Sequence, residues 1–276
     1  MAISTKRCRL SIWGYRMASL ISQTRPKADE NAIGVDDRSV LGRAALVLDA
    51  FGPGMLSLSL NDLTTRAMLP KSTVHRIAEQ LVGLGWLERS ICGYRVGIRL
   101  FEIGGLVESR HRLRTAVMPH LQELAHRFRM SAHLGVLDGH EVLYLETLPA
   151  RGMKLPTRQG SRMPAYCTGL GKAMLAFTDG KQVAETIAHG LAPRTEYTIV
   201  VPEIFCEELH KISAGGVAFD REESIRGIGC VAAPLRGSGR AIGAISLTGP
   251  AAQAGSDQIT AALRDAASLI WSDLFS

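Results

Sequence analysis

Apolar residues recur at three- and four-residue intervals through much of the first half of the chain. Val40, Ala44, Leu48 and Phe51 form one stripe behind Ser39, a residue type that caps helices, and Gly52-Pro53-Gly54 ends it. Leu60, Leu63 and Ala67 form a second, shorter stripe, with Ser59 three residues ahead of Asp62 in a near capping-box pattern. Met68-Leu69 fill a turn, and Pro70 stands where a helix tolerates its missing N–H. Val74, Ile77, Leu81 and Leu84 then line one face of a further helix, which Gly83 and Gly85 end. Residues 86–89 and 94–96 read as strands around Ser90-Ile91-Cys92-Gly93, a hairpin with Arg at both ends. Two helices followed by such a hairpin predict a winged helix-turn-helix.

The polar face of the second helix carries Ser72, His75, Arg76 and Glu79, with Lys71 and Thr73 in its first turn. Donors at that end of a recognition helix meet base edges and phosphates. A helical pair that merely packs is the rival reading, and charge bears on the choice. Residues 1–114 hold seventeen Lys and Arg against ten Asp and Glu; residues 115–276 hold fifteen against sixteen. The basic excess therefore lies with the helix-turn-helix, as a phosphate-binding module requires.

Beyond it, 98 to about 112 stays helical, with Leu100, Ile103, Leu106 and Val107 apolar, and predicts a linker helix. Arg110, Arg112 and Arg114 near its end form either a solvated face or a further phosphate contact. A helix over 115–128 follows, then a hairpin over 132–147 turning at Asp138-Gly139. Helices over 168–177, 181–189 and 202–214, strands over 217–219, 228–234 and 241–248, and a closing helix through Ile259, Leu263 and Ile270 complete the pattern. The fold class expected is α+β, with helices packed on a mixed sheet.

The chain has 276 residues, room for two modest domains. No apolar run is long enough to span a bilayer, so no membrane partner is expected. Five scattered cysteines without C-x-x-C argue against a disulfide framework or structural zinc and fit a reducing cytoplasm. The histidines show no metal-ligand spacing, and neither metal nor cofactor is expected. Residues 1–37 run from basic to acidic and read as a mobile tail; a start at Met17 and a DNA-contacting arm are the alternatives. Three segments rich in Gly and small polar residues could line a ligand pocket: 166–172, 215–234 and 244–250. The first is not a phosphate loop, because Ala173 follows Lys172. It offers a helix N-terminus to an anion, or tight packing through Gly169 and Gly171. An enzyme would make Cys230 a nucleophile or Asp220 an acid/base, yet no motif supplies Cys230 with a base, and a carboxylate after a strand more often ties down a turn.

At this point the residues resemble the IclR family of bacterial transcription regulators, over about 38–274. The likeness rests on Leu69-Pro70-Lys71-Ser72-Thr73-Val74-His75-Arg76, Leu84-Gly85-Trp86-Leu87, Thr168-Gly169-Leu170-Gly171-Lys172-Ala173, Ser246-Leu247-Thr248-Gly249-Pro250 and, most specifically, the run from Gly216 to Pro234. The resemblance implies a winged helix-turn-helix (38–97), a linker helix (98–112) and a GAF-like effector and assembly domain (113–276). Carried over by position, the effector site comprises Gly169, Leu170, Asp220, Ile228, Cys230, Ser246 and Thr248, with Met153 and Leu155 in a variable covering loop.

The expectation is a ligand-responsive regulator of a catabolic operon, not an enzyme. Lys71, Ser72, Thr73, His75, Arg76 and Arg95 would contact a near-palindromic double-stranded operator. A homodimer or dimer of dimers would present two such helices. The effector would be a small organic acid, its carboxylate at the helix beginning near Thr168. Asp220 would face a remote hydroxyl or amine, or hold the pocket's own backbone. The rivals are a small-molecule enzyme tethered to DNA, which would turn over its ligand, and a sensor acting only through protein partners, which would fail to bind its own upstream DNA.

Overall fold

A computed structural model describes residues 39–52 and 55–275; at 108–111 it describes the backbone alone. The tail 1–37 and the Pro53-Gly54 helix stop lie outside the described residues. Described residues up to position 111 form one compact unit, and those from Arg112 onward form another.

In the first unit, α1 (Val40–Asp49) starts at Ser39, whose hydroxyl accepts the Gly42 N–H. Val47 and Ala50 face the core, while Val40, expected on the buried stripe, is largely exposed. In α2 (Leu60–Ala67) the capping box between Ser59 and Asp62 is complete in both directions, which holds Asp62 below its usual carboxylate range. Met68 ends the helix in the left-handed region at φ 51°. Pro70 caps α3 (Lys71–Gly83), one position earlier than its expected place inside the helix. Val74, Ile77, Ala78 and Leu81 are buried; Leu84 lies past the helix end and is exposed. The wing is β1 (Leu87–Ser90) paired antiparallel with β2 (Gly93–Val96). Leu58 adds a third strand segment, exchanging two 2.8 Å backbone hydrogen bonds with Tyr94. A Cβ on Gly93, which has φ +135°, would lie 2.2 Å from the Leu58 carbonyl oxygen, so only glycine fits there.

The single linker helix expected over 98–112 is two elements. The first, α4 (Ile98–Gly105), stops where Gly104 and Gly105 weaken helical propensity, and α5 (Glu108–Phe128) begins at Glu108.

The second unit is a six-stranded sheet of β3 (Ser131–Asp138), β4 (Glu141–Leu148), β5 (Arg162–Pro164), β6 (Ala218–Arg221), β7 (Ile228–Leu235) and β8 (Gly243–Pro250). Their order is β5-β4-β3-β8-β7-β6, and every pairing is antiparallel. The mixing expected for the sheet therefore lies in the alternation of helices with strands, not in strand direction. Strand β5 was not expected; three residues carry too little alternation to register.

Both faces are covered. On one, Val117 and Leu121 of α5 and Leu263 and Ile270 of α10 (Asp257–Phe275) pack on Leu134, Val231, Ile245 and Leu247. On the other, α6 (Gly169–Leu175), α7 (Gly180–His189) and α8 (Pro202–Gly215) pack on Val142, Tyr144, Ala218 and Ala232. A four-residue helix, α9 (Ala251–Ala254), follows β8. With both faces buried, β7 and β8 read as nearly continuous apolar runs rather than alternating ones. Among the described residues, no helix is long and apolar enough to cross a membrane.

Candidate functional site

The first candidate surface is the outer face of α3. Lys71, Ser72, His75 and Arg76 are exposed there, and Thr73 is half-buried. Glu79, on the same face, turns instead to the wing. Its carboxylate accepts from Tyr94 and Arg89, both at 2.7 Å, and these bonds hold it below the usual range. Arg95 is exposed on β2 but salt-bridged to Glu88 at 2.7 Å, and Glu88 also accepts the Ile98 N–H. The face offers two free cations, a hydroxyl and an imidazole at one helix end, a set suited to phosphates and base edges. Arg114, left open between solvent and phosphate, pairs with the buried Glu146.

The second candidate is a cavity of about 30 Å³ on the α6 side of the sheet. Strand order brings its walls together. β3 and β4 supply His133 and Tyr144, the neighbouring β8 and β7 supply Thr248 and Cys230, and β6 with its following turn supplies Asp220 and Ser224. Thr168, Gly169 and Leu170 close one side, and Leu155 and Thr157 of the 149–161 loop cover it.

Close approach of α6 explains the small volume. A Cβ on Gly169 would sit 2.9 Å from the Cys230 sulfur, and one on Gly171 would sit 2.1 Å from the Ala165 carbonyl. Packing therefore requires both glycines. Helix α6 has only seven residues, and Thr168 already accepts the Gly171 N–H. The expected anion seat at this helix N-terminus loses that donor.

Of the residues expected around the effector, Gly169, Leu170, Asp220, Ile228, Cys230, Thr248 and Leu155 line the cavity. Ser246 and Met153 do not. Ser246 is fully buried behind the wall, its hydroxyl 3.4 Å from His133 Nδ1. Met153 turns its sulfur to Ser131, whose hydroxyl donates to it at 3.8 Å. His133, Tyr144, Thr157 and Met163 also line the cavity and were missed; Thr168, Ser224 and Ile225, which line it too, fall in the segments expected to border a pocket. His133 had a detectable signal: a polar residue at an inward position of a strand, His133 beside Ala132 and Leu134.

The polar groups are mutually engaged. Asp220 accepts from the Glu223 N–H at 2.7 Å, the Ser224 N–H at 3.3 Å and the Ser224 hydroxyl at 2.5 Å. It thus holds the turn after β6, the second of the two roles expected for it. Burial outweighs these donors and pushes the Asp220 pKa above the usual carboxylate range. His133 Nε2 is 3.1 Å from the Thr157 hydroxyl, and its Nδ1 is 3.4 Å from the hydroxyls of Ser246 and Thr248. Burial drives His133 down to about 4, so the ring is neutral. Its ring meets Tyr144 edge-on at 5.4 Å, and burial raises the Tyr144 phenol. Burial also pushes the Cys230 thiol up to about 12, where a thiolate nucleophile is not populated. Behind the cavity, Lys172 is fully buried; its Nζ lies 2.5 Å from Glu223 Oε1 and 3.4 Å from Glu208 Oε1. Among the described residues no cluster of three or more His, Cys, Asp or Glu could hold a metal ion.

Comparison with known proteins agrees with this arrangement. Residues 106–271 match the model of the C-terminal domain of IclR bacterial transcriptional regulators, and residues 40–90 match the IclR helix-turn-helix domain. The chain is 30% identical to the HTH-type transcriptional regulator XynR of Escherichia coli over 75% of its own length and 84% of that protein's. It is 31% identical to the HTH-type transcriptional regulator BhcR of Paracoccus denitrificans, covering 88% and 89%. Among solved structures, an IclR homolog from Microbacterium hydrocarbonoxydans complexed with 4-hydroxybenzoate aligns with TM-score 0.79 and 30% identity, over 86% of this chain and 99% of that one. With its exposed helix-turn-helix, its helix-covered antiparallel sheet and these matches over both units, the chain belongs to the IclR family of DNA-binding bacterial transcriptional regulators.

Proposed function

We propose that this regulator controls a catabolic operon by binding its operator through Lys71, Ser72, Thr73, His75, Arg76 and Arg95, and that a small organic acid in the cavity alters that binding. The observation that carries the reading is the converging set of polar groups in a small cavity, His133, Thr157, Thr248 and Asp220, on a chain whose other unit exposes a basic helix face. A cavity of about 30 Å³ holds a water or two, so an effector requires the 149–161 loop to move. An acid with a remote polar group suits the site: hydroxyls and imidazole at one end, the Asp220 turn at the other. The 4-hydroxybenzoate bound by the Microbacterium homolog has that form.

The chain acts as a dimer or dimer of dimers on a near-palindromic site in the cytoplasm, and it catalyses no reaction on its ligand. Exposed Val40 and Leu41 on α1, and Ile98, Phe101 and Leu106 on and beside α4, supply the apolar contact surface. Fluorescence anisotropy with DNA from the upstream region, with and without a panel of hydroxy-, keto- and aromatic acids, tests the reading. Arg76→Ala is expected to weaken operator binding by about 1–3 kcal/mol. Unchanged affinity in that variant, or turnover of a bound acid, would sink the assignment.

A further inference from the structure

The cavity poses an electrostatic problem for the acid effector proposed above. His133, Tyr144, Asp220 and Cys230 line it, and no Lys or Arg does. Lys172 on the adjoining α6 is already paired with Glu223 and Glu208. An entering carboxylate would therefore share a dehydrated space with Asp220 and meet no free cation. Such burial is strongly unfavourable unless a counter-charge or a proton comes with it.

Two lining groups could take the proton. Asp220 already accepts three hydrogen bonds, and protonating it would replace an acceptor with a donor inside the turn it holds. His133 is different. Its ring nitrogens face only hydroxyls, those of Thr157, Ser246 and Thr248. A hydroxyl can donate or accept, so all three can rotate to accept from an imidazolium without displacing a heavy atom. The titratable groups on the packed elements leave this role open. Tyr144 of β4 stands edge-on to the ring, Cys230 of β7 and Asp220 of β6 lie across the cavity, and Glu146 of β4 is occupied by Arg114.

We infer that an effector carboxylate binds together with one solvent proton, taken up at His133, so that the buried ion pair exists only in the liganded protein. The carboxylate then sits at the His133–Thr157 end, and the Asp220 end receives the effector's hydroxyl or amine. The inference rests on the acid-effector reading.

Calorimetry with 4-hydroxybenzoate and the same acid panel, in buffers of different ionisation enthalpy, reads the proton directly. The full-length chain should take up about one proton per acid bound, and its affinity should fall about tenfold per pH unit as pH rises above neutrality. His133→Gln, which still hydrogen-bonds but cannot be protonated, should lose both the proton uptake and the pH slope. The same variant should bind the neutral 4-hydroxybenzamide at least as well as the unsubstituted chain does, which separates loss of the proton site from loss of the fold. Acids that bind without proton uptake, or uptake that persists in His133→Gln, overturn the inference and leave the acid-effector reading standing. Failure of every acid to bind removes that reading and the inference with it.

Discussion

Tyr94, on the second strand of the wing, donates its hydroxyl to Glu79 on the recognition helix at 2.7 Å. The same carboxylate takes Arg89, also at 2.7 Å, from the other wing strand. Helix and wing are thereby joined through one acidic side chain on the face that was expected to meet DNA. At the next register pair of the hairpin, Glu88 holds Arg95 and the first N–H of α4. Hydrogen bonds keep Glu79 and Glu88 below the usual carboxylate range, so their ties are complete at neutral pH. They are lost as pH falls from the ordinary carboxylate value near 4 towards the lowered ones.

The wing depends on Gly93. Gly93→Ala would place a methyl into the Leu58 carbonyl at a φ of +135° and should destabilise the winged unit by more than about 2 kcal/mol. Gly139→Ala, at φ +60° in open space, should cost only about 1 kcal/mol. Thermal melts of the two variants check the contrast, and equal losses would refute it.

Lys172 is the only buried cation of the described residues, and its loss should be severe. Lys172→Met leaves Glu223 buried, with one oxygen already unpartnered, and should cost about 3–5 kcal/mol. Adding Glu223→Gln should restore part of that stability. A double variant less stable than the single one would contradict this account, and denaturant titration measures it.

His133 makes the second unit sensitive to acid. Its folded value, about 4, lies below the ordinary 6.5, so between those two values the unfolded chain binds the proton more tightly. Its contribution is fully present above pH 6.5 and is lost as pH falls towards 4, by up to about 3 kcal/mol. Burial raises Asp220 and Glu223, which acts in the opposite direction on acidification. His133→Gln should therefore flatten the fall in stability below pH 6.5, as read from melting temperature against pH.

Phe101 is 79% exposed on α4, a helix with no buried residue in the single chain. Phe101→Glu should shift a dimer to monomer in sedimentation velocity and weaken operator binding, because each half-site would then be held alone. A variant that sediments as the unsubstituted chain does would place the dimer contact elsewhere.

Local patterns were legible wherever one chemical rule acts alone. The capping box at Ser59 and Asp62, the buried stripe of Val74, Ile77 and Leu81, and the Gly139 turn all appear where spacing predicts them. Breaks and edges were not. The stop at Gly105 interrupts a stripe that remains periodic through it, and the Leu58 bridge and β5 are too short to show alternation. The cavity was half legible, since family motifs mark its β6 to β8 wall and the start of α6. They do not mark Tyr144, which looks like an ordinary strand position, and the polar His133 between Ala132 and Leu134 meets its partners only when β3 pairs with β8.

By itself the sequence determined the two-part organisation, the helix-turn-helix and the basic charge of the half that holds it, because these follow from periodicity and composition within short windows. Tertiary structure alone decided the polarity of the cavity. Antiparallel pairing of β3 with β8 brings His133 against Ser246 and Thr248, over a hundred positions away. Packing of α6 through Gly169 and Gly171 then seals those groups from water. Desolvation and long-range neighbours set the charge state of a buried side chain, and neither is present in the local order of residues.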